Sequence, residues 1–477
     1  MQFIGRKDAI DELDRICELP RPQFVVVYGR RRVGKTYLVR QYFKNEFAFY
    51  ATGVLGGSGR DELAAFGNNL RLYGDEGRTP KDWFSAFAAL VGLLERDDVR
   101  RDPISGKRVV FIDEMPWLDT PGSDFLAALD WFWNAWGSAR DDVLLIVCGS
   151  VTSWIVGKLF KNRGGLHNRV TARIHLKPFT LGECAAYFQE SGFAWGETQI
   201  LEVYMVFGGI PYYLDLLNRR AGLAQNIDNL CFRRGGQLAD EFDELYRSLF
   251  RRAERHLAIV RALAGKKVGL ARDELLRATS TATGGTLSKA LEELEQCGFI
   301  RSYRPFGKKS RGTLYQLIDP FSLFYLQFMD KEASEHFWRE NYQSPKLNAW
   351  RGYAFELVCL IHIEQIRRAL GISVISASVS SWRSKETNPG TQIDLVIDRA
   401  DQIIDLCEMK WSSSEFVINK DYDQRLRERR ETFLQETGTR KGARLVLVTP
   451  HGVRRNAYWN TIQAQVTAGD LFADAVG

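Results

Sequence analysis

Residues 24–42, FVVVYGRRRVGKTYLVRQY, decide how the rest of this chain is read. Phe24 to Tyr28 is a run without polar alternation, the pattern of a strand covered on both faces. It stops at Gly29, crosses a basic loop and restarts as a helix at Thr36-Tyr37-Leu38-Val39. The octet from Gly29 to Thr36, GRRRVGKT, satisfies G-x-x-x-x-G-K-[ST] at every position. That spacing has a chemical reason. Gly29 and Gly34 free the loop backbone, through Arg30, Arg31, Arg32 and Val33, to curl its N–H groups around phosphate oxygens. Lys35 then reaches the β/γ phosphates, and the Thr36 hydroxyl ligates Mg²⁺.

The frame around this stretch is an ordinary one. At 477 residues, and about 150 residues per domain, the chain has room for about three domains. No apolar run approaches the ~20 residues of a membrane helix, and the N-terminus lacks the apolar core of a signal peptide. A cytoplasmic protein with no membrane partner is expected. The seven cysteines are scattered, with no C-x-x-C pair, and read as reduced core residues. The six histidines are dispersed and offer no zinc cluster. A net charge of +6 permits a nucleic-acid partner without demanding one.

Further along, Val109-Val110-Phe111-Ile112 is another doubly buried strand, and it ends in Asp113 and Glu114. A parallel sheet would set these two carboxylates beside the phosphate loop. Asp113 is then placed to hold Mg²⁺ and Glu114 to polarise the attacking water. The helix DFLAALDWFWNAWG carries Phe125, Leu129, Phe132, Trp133 and Trp136 on one side, a core stripe rather than a base-stacking platform. Val143 to Cys148 is a further strand, and it delivers Gly149-Ser150. The basic loop before Arg173-Ile174-His175-Leu176 offers Arg169, then Arg163 and Arg173, as an arginine finger for a neighbouring subunit, or simply a solvated face.

FIGR, GRRRVGKT, VVFIDE, LLIVCGS, LKPFTLGE and GGIPYYL, in this order, resemble the prokaryotic archaeal-type ATPases related to the AAA+ and STAND classes. The resemblance implies an α/β fold, a P-loop AAA+-like core with a helical lid, that binds and hydrolyses ATP with Mg²⁺. It also implies that Ile4, Gly5 and Arg6 lie near the adenine or ribose, that Ser150 is the sensor, and that Gly209 and Pro211 belong to the lid. A homo-oligomer would follow if Arg169 acts in trans.

Beyond Arg251-Arg252, three short helices precede two alternating strands, Phe299 to Tyr303 and Thr313 to Leu317, around a basic turn. The pattern resembles a winged helix. In a DNA-binding version Thr286, Ser288 and Lys289 would face the groove, and Lys308, Lys309 and Arg311 the phosphates. A rigid spacer is the other reading.

The last quarter holds a helix from Gly352 to Ile366 in which Glu356 stands among core positions, and an acid there needs a reason. Two strands follow, Gln392 to Ile397 and Ile403 to Trp411. Residues two apart on a strand share a face, so Glu408 and Lys410 point the same way, and a hairpin brings Asp394 alongside. This set resembles the PD-(D/E)XK nuclease superfamily, with Ile393 where the naming proline would stand. The resemblance implies a restriction-endonuclease-like α/β domain. In it Asp394 and Glu408, near the Met409 carbonyl, would bind Mg²⁺ or Mn²⁺, with Lys410 activating water and Glu356 completing the site. Gln424, Arg425, Arg427, Arg429 and Arg430 on the next helix would grip a DNA backbone, or simply be solvated.

The expected organisation is therefore an ATPase core at 1–180, a lid at 181–250, a winged helix at 251–320, a linker at 321–345 and a nuclease-like domain at 346–477. The expected function is ATP-coupled binding and metal-dependent cleavage of DNA. The alternative is a nucleotide-switched DNA-binding regulator or scaffold whose last domain does not cut.

Overall fold

A computed structural model describes residues 4–161, 166, 168–250, 252–279, 284–308, 312–331, 333–384 and 391–473. The chain divides into two compact units, Met1–Lys177 with Arg247–Arg251, and Pro178–Tyr246 with Arg252–Gly477. Among the described residues, no helix is long and apolar enough to cross a membrane.

The front unit is built on five strands: β1 (Gln23–Tyr28), β2 (Phe49–Thr52), β3 (Arg108–Asp113), β4 (Val143–Gly149) and β5 (Ala172–His175). They pair in parallel in the order β2-β3-β4-β1-β5. Parallel neighbours need crossovers, and the amphipathic helices Gly59–Leu72, Trp83–Leu94 and Phe125–Ala135 supply them. Capping boxes at Ser58 with Asp61 and at Asp82 with Ser85 fix where the first two begin. The aromatic stripe of the third is core, as expected: Phe125 and Phe132 are fully buried, and Trp133 lies 5.2 Å from the Phe24 ring. Helices on both faces explain why β4 is buried at all seven positions and reads as an unbroken apolar run.

The second unit opens with helices, among them Leu181–Glu190 and Glu197–Phe207. Gly209 is dictated by a close approach, because a Cβ there would lie 1.9 Å from the Phe179 carbonyl oxygen. The helices Ala253–Ala264, Arg272–Ala278 and Gly284–Gln296 accompany an antiparallel sheet of β6 (Leu270–Ala271), β7 (Ile300–Tyr303) and β8 (Leu314–Leu317), ordered β6-β8-β7. The short β6 was not legible in the sequence. Lys309 and Arg311, expected on the basic turn, lie outside the described residues.

The segment 321–345, which the sequence reads as a linker, carries regular structure. Helices Pro320–Phe324 and Phe337–Asn341 occupy it, and Phe324, Phe328 and Trp338 are buried, edge-on to one another and to Trp350. Polar residues around Ser344 suggested a spacer; Phe324, Phe328 and Trp338 nevertheless join a buried aromatic cluster, while most described residues from 331 to 345 stay exposed.

The last sheet runs β9 (Ala377–Arg383), β10 (Gln392–Arg399), β11 (Ile403–Met409), β12 (Gly442–Val448) and β13 (Ala464–Val466) in sequential spatial order. β9, β10 and β11 are antiparallel, and β11, β12 and β13 parallel. Helix Lys420–Thr437 makes the β11 to β12 crossover. The expected single helix at 352–366 is two, Pro345–Ile361 and Ile363–Ala369, broken at His362.

His362 is buried, with Nδ1 at 2.8 Å from the Val358 carbonyl and Nε2 accepting the Leu181 backbone N–H at 3.0 Å. Both contacts are satisfied by the neutral ring, and burial pushes its pKa from 6.5 down to about 4. The unfolded chain takes up that proton first. Stability from this group is therefore present above pH ~6.5 and is lost as pH falls towards 4, by roughly 3 kcal/mol in all. Thermal melts of the parent and His362→Gln should accordingly diverge in favour of the variant between pH 7 and 4.5. A gap that stays constant with pH would remove the assignment.

Candidate functional site

In the front unit, the ends of three strands meet at Lys35. β1 leads into the phosphate loop, β3 ends at Asp113 with Glu114 next, and β4 delivers Ser150. Because β4 lies between β1 and β3, Ser150 stands between the loop and the two acids. Lys35 is only 4% exposed, and its Nζ donates to the Gly29 carbonyl at 3.1 Å, the Arg30 carbonyl at 3.0 Å and Ser150 Oγ at 2.9 Å. Ser150 in turn donates its backbone N–H to Glu114 Oε2 at 3.1 Å and its hydroxyl to Oε1. Thr36 Oγ1 donates to Asp113 Oδ2 at 2.7 Å.

Backbone geometry fits this purpose. Gly29 has φ of 147°, and a Cβ there would come within 2.2 Å of the Leu176 carbonyl oxygen just past β5. Glu114 sits in the left-handed region at φ 44°, a conformation costly to a side-chain-bearing residue, which turns its carboxylate back towards Ser150. Burial raises the pKa of Asp113, opposed by its bond from Thr36. Ligation to a divalent cation would favour the charged form. The fit to a magnesium–triphosphate is good: a buried ammonium, a loop with Arg32 and Gly34 also at positive φ, and two hard oxygen donors in contact.

The remaining expected residues of this site divide. Arg6, also left-handed, donates from Nη2 to the Val33 carbonyl at 2.8 Å and from Nη1 to the Lys177 carbonyl, so it braces the phosphate loop. Ile4 and Gly5 precede it and are half-buried. Arg169 is exposed, and Arg173 lies 4.1 Å over the Phe160 ring. Arg163 lies outside the described residues. Pro211 opens the short helix Pro211–Asp215 in the second unit.

The second unit holds a cavity of about 390 Å³. Glu356, Asp394, Glu408 and Lys410 all line it, from one helix, two strands and the residue just after β11. Leu395 faces Cys407 in the β10–β11 register, and Asp394 and Glu408 are the next residues along the two strands. Glu408 is 4% exposed and paired on both sides, with Lys410 Nζ at 2.7 Å and Arg429 Nη1 at 2.5 Å. Gln392 Nε2 donates to Asp394 Oδ1 at 2.9 Å. Burial, reinforced by the Asp394 charge, pushes Glu356 up to about 7. Burial and then Glu408 push Asp394 up to about 6.

A divalent cation relieves such crowding, and Asp394 and Glu408 are suitable donors. Among the described residues, however, no three His, Cys, Asp or Glu side chains stand together as a ligand group. Two of the four arginines expected to face a DNA backbone are paired with carboxylates: Arg429 with Glu408, and Arg427 with Asp423 at 3.0 Å. Sequence reasoning missed Lys267, Arg301, Tyr303 and Gln392 on the cavity wall. For Arg301 and Tyr303 the alternation of β7 was a signal that they share a face.

Residues 3–217 match the family model described as an ATPase domain predominantly from Archaea. The front of the chain therefore carries a P-loop ATPase domain. An uncharacterized protein of Methanocaldococcus jannaschii is 22% identical over 417 residues, covering 86% of this chain and 87% of that protein. An uncharacterized ATP-binding protein of the same organism is 35% identical over 46 residues, 10% of this chain and 78% of that one. Among solved structures, a Walker-type ATPase of Pyrococcus abyssi is 18% identical, with a TM-score of 0.46 over 68% of this chain and 96% of that one. The ORC2 protein of Aeropyrum pernix is 15% identical, with a TM-score of 0.42 over 69% and 94%.

Two substitutions test the front site. Lys35→Ala should weaken ATP binding by about 10- to 100-fold, the worth of one or two charge-assisted hydrogen bonds. Gly29→Ala should cost both ATP affinity and melting temperature, since the loop must move away from Leu176. Titration of a fluorescent ATP analogue and a thermal melt read both effects, and unchanged affinity in Lys35→Ala would count against the site.

Proposed function

We propose that this protein couples ATP hydrolysis in its front unit to metal-dependent cleavage of DNA in the cavity of its second unit. The observation that carries the cleavage reading is the gathering of Glu356, Asp394, Glu408 and Lys410, from separate segments, around one cavity. In the front unit Lys35 binds phosphate, Thr36 and Asp113 hold Mg²⁺, and Glu114 accepts a proton from the attacking water. Magnesium supplies charge neutralisation at the phosphates. Ser150 orients Glu114 and touches Lys35, so it senses whether Lys35 has turned to a phosphate. The helices of 181–250 serve as a lid, and the three-stranded sheet with its helices as a winged helix.

In the second unit Asp394 and Glu408 would hold Mg²⁺ or Mn²⁺, which would supply Lewis-acid polarisation of a phosphodiester. Lys410 orients water, and Glu356, poised near neutrality, carries the proton. Arg169 as a finger between subunits remains part of this proposal.

A second reading is a nucleotide-switched DNA-binding regulator that does not cut. The double ion pairing of Glu408, and the lack of a three-donor group among the described residues, favour it.

Purified protein incubated with single- and double-stranded DNA, Mg²⁺ or Mn²⁺, with and without ATP, separates the two. Cleavage is expected in the parent and is expected to fall at least ~100-fold in Asp394→Asn and Lys410→Ala. Glu114→Gln should lower ATP turnover by about 100-fold or more while ATP affinity is kept. DNA that stays intact under every metal condition removes cleavage and leaves the regulator.

A further inference from the structure

The carboxylates are only part of the cavity lining. Arg301 and Tyr303 reach it from β7, Lys267 and Val268 from the turn before β6, and Gln316 from β8. The three-stranded sheet thus forms one wall of a cavity whose other wall is the five-stranded sheet. Five cations line it, Lys267, Arg301, Arg383, Lys410 and Arg429, against three carboxylates. Glu408 takes up Lys410 and Arg429. Lys267, Arg301 and Arg383 make no carboxylate ion pair among the described residues.

Arg301 is held in place by neutral groups. Its Nε donates to Gln316 Oε1 at 2.8 Å, and its guanidinium lies 4.7 Å over the Tyr303 ring. Gln316 is 5% exposed and is itself fixed by donating to the Lys267 carbonyl at 2.6 Å, while the Tyr303 hydroxyl donates to the Val268 carbonyl. These contacts use one edge of the guanidinium. Its two terminal nitrogens make no protein hydrogen bond among the described residues. Burial works against the charge on Arg301, and a guanidinium cannot escape that cost by losing its proton. A positioned, desolvated guanidinium without an acid is the arrangement that recovers its energy by binding an anion, and a planar fork suits phosphate.

We propose that Arg301, supported by Lys267 and Arg383, is a phosphate-binding subsite of this cavity that grips one phosphate of a single nucleic-acid strand beside Glu356, Asp394 and Glu408. The cavity volume of about 390 Å³ suits one nucleotide rather than a duplex. This inference rests on the reading of the cavity as a nucleic-acid site and adds the residue that holds the strand.

The test uses the full chain in metal-free buffer, so that nothing is cut, with fluorescein-labelled single-stranded DNA carrying either a 5′-phosphate or a 5′-hydroxyl. Anisotropy should show binding weakened about 10-fold or more in Arg301→Gln, with partial recovery in Arg301→Lys, which keeps the charge but loses the fork. The slope of log affinity against log salt should become shallower by about 0.7, one phosphate contact on a single strand. ATP turnover and the thermal melt of the variant should match the parent. Should Arg301→Gln be unstable, Lys267→Gln, whose side chain is exposed, carries the test with a smaller loss.

Weakening confined to the 5′-phosphate oligonucleotide places a terminal phosphate in the subsite, and equal weakening of both places an internal phosphodiester there. Competition by deoxyadenosine monophosphate as strong as by the strand would overturn the strand and leave a free-nucleotide site. Affinity unchanged in both variants would remove the subsite, even with metal-dependent cleavage intact. Binding lost in the variants of a protein that never cuts would keep the subsite and remove the cleavage.

Discussion

An ammonium group with 4% exposure has to be surrounded by oxygens, and around Lys35 those oxygens come from the ends of two adjacent parallel strands. The carbonyls of Gly29 and Arg30 belong to its own loop, whereas Ser150 arrives at the end of β4. Taking a charge out of water costs several kcal/mol unless hydrogen bonds replace the solvent. The position of Ser150 depends on β4 lying between β1 and β3, so the order of the strands and the charge of the lysine constrain one another. Through Ser150 the same network reaches Glu114, whose left-handed backbone is affordable because its carboxylate gains two hydrogen bonds.

The cavity of the second unit meets the same electrostatic requirement in another way. Burial, reinforced by neighbouring carboxylates, raises Glu356 and Asp394 into the range near neutrality, and the cavity's cations exceed its acids in number. Glu408, with Lys410 and Arg429 on either side, is the locally neutral part. The surplus falls on Arg301 and its neighbours. A cavity holding both crowded acids and unpaired cations is suited to a ligand that has negative charge for the cations and accepts charge compensation at the acids.

The sequence by itself determined everything whose partners are contiguous or periodic. GRRRVGKT specified the phosphate loop because eight neighbouring residues make the whole cradle. The apolar runs before Asp113 and Ser150 specified buried strands because burial on both faces leaves no polar alternation to misread. The antiparallel hairpin that carries Asp394 and Glu408 was also legible, since a period of two and a short turn fix the register. Only the tertiary structure decided that Phe324, Phe328 and Trp338 are buried, because that burial depends on Trp350, a residue outside 321–345. Only it showed Arg6 bracing Val33 and Lys177, and Arg301 and Lys267 sharing a cavity with Asp394. These contacts join segments separated by many residues, so no local spacing records them, and they exist only after the sheets have closed on one another.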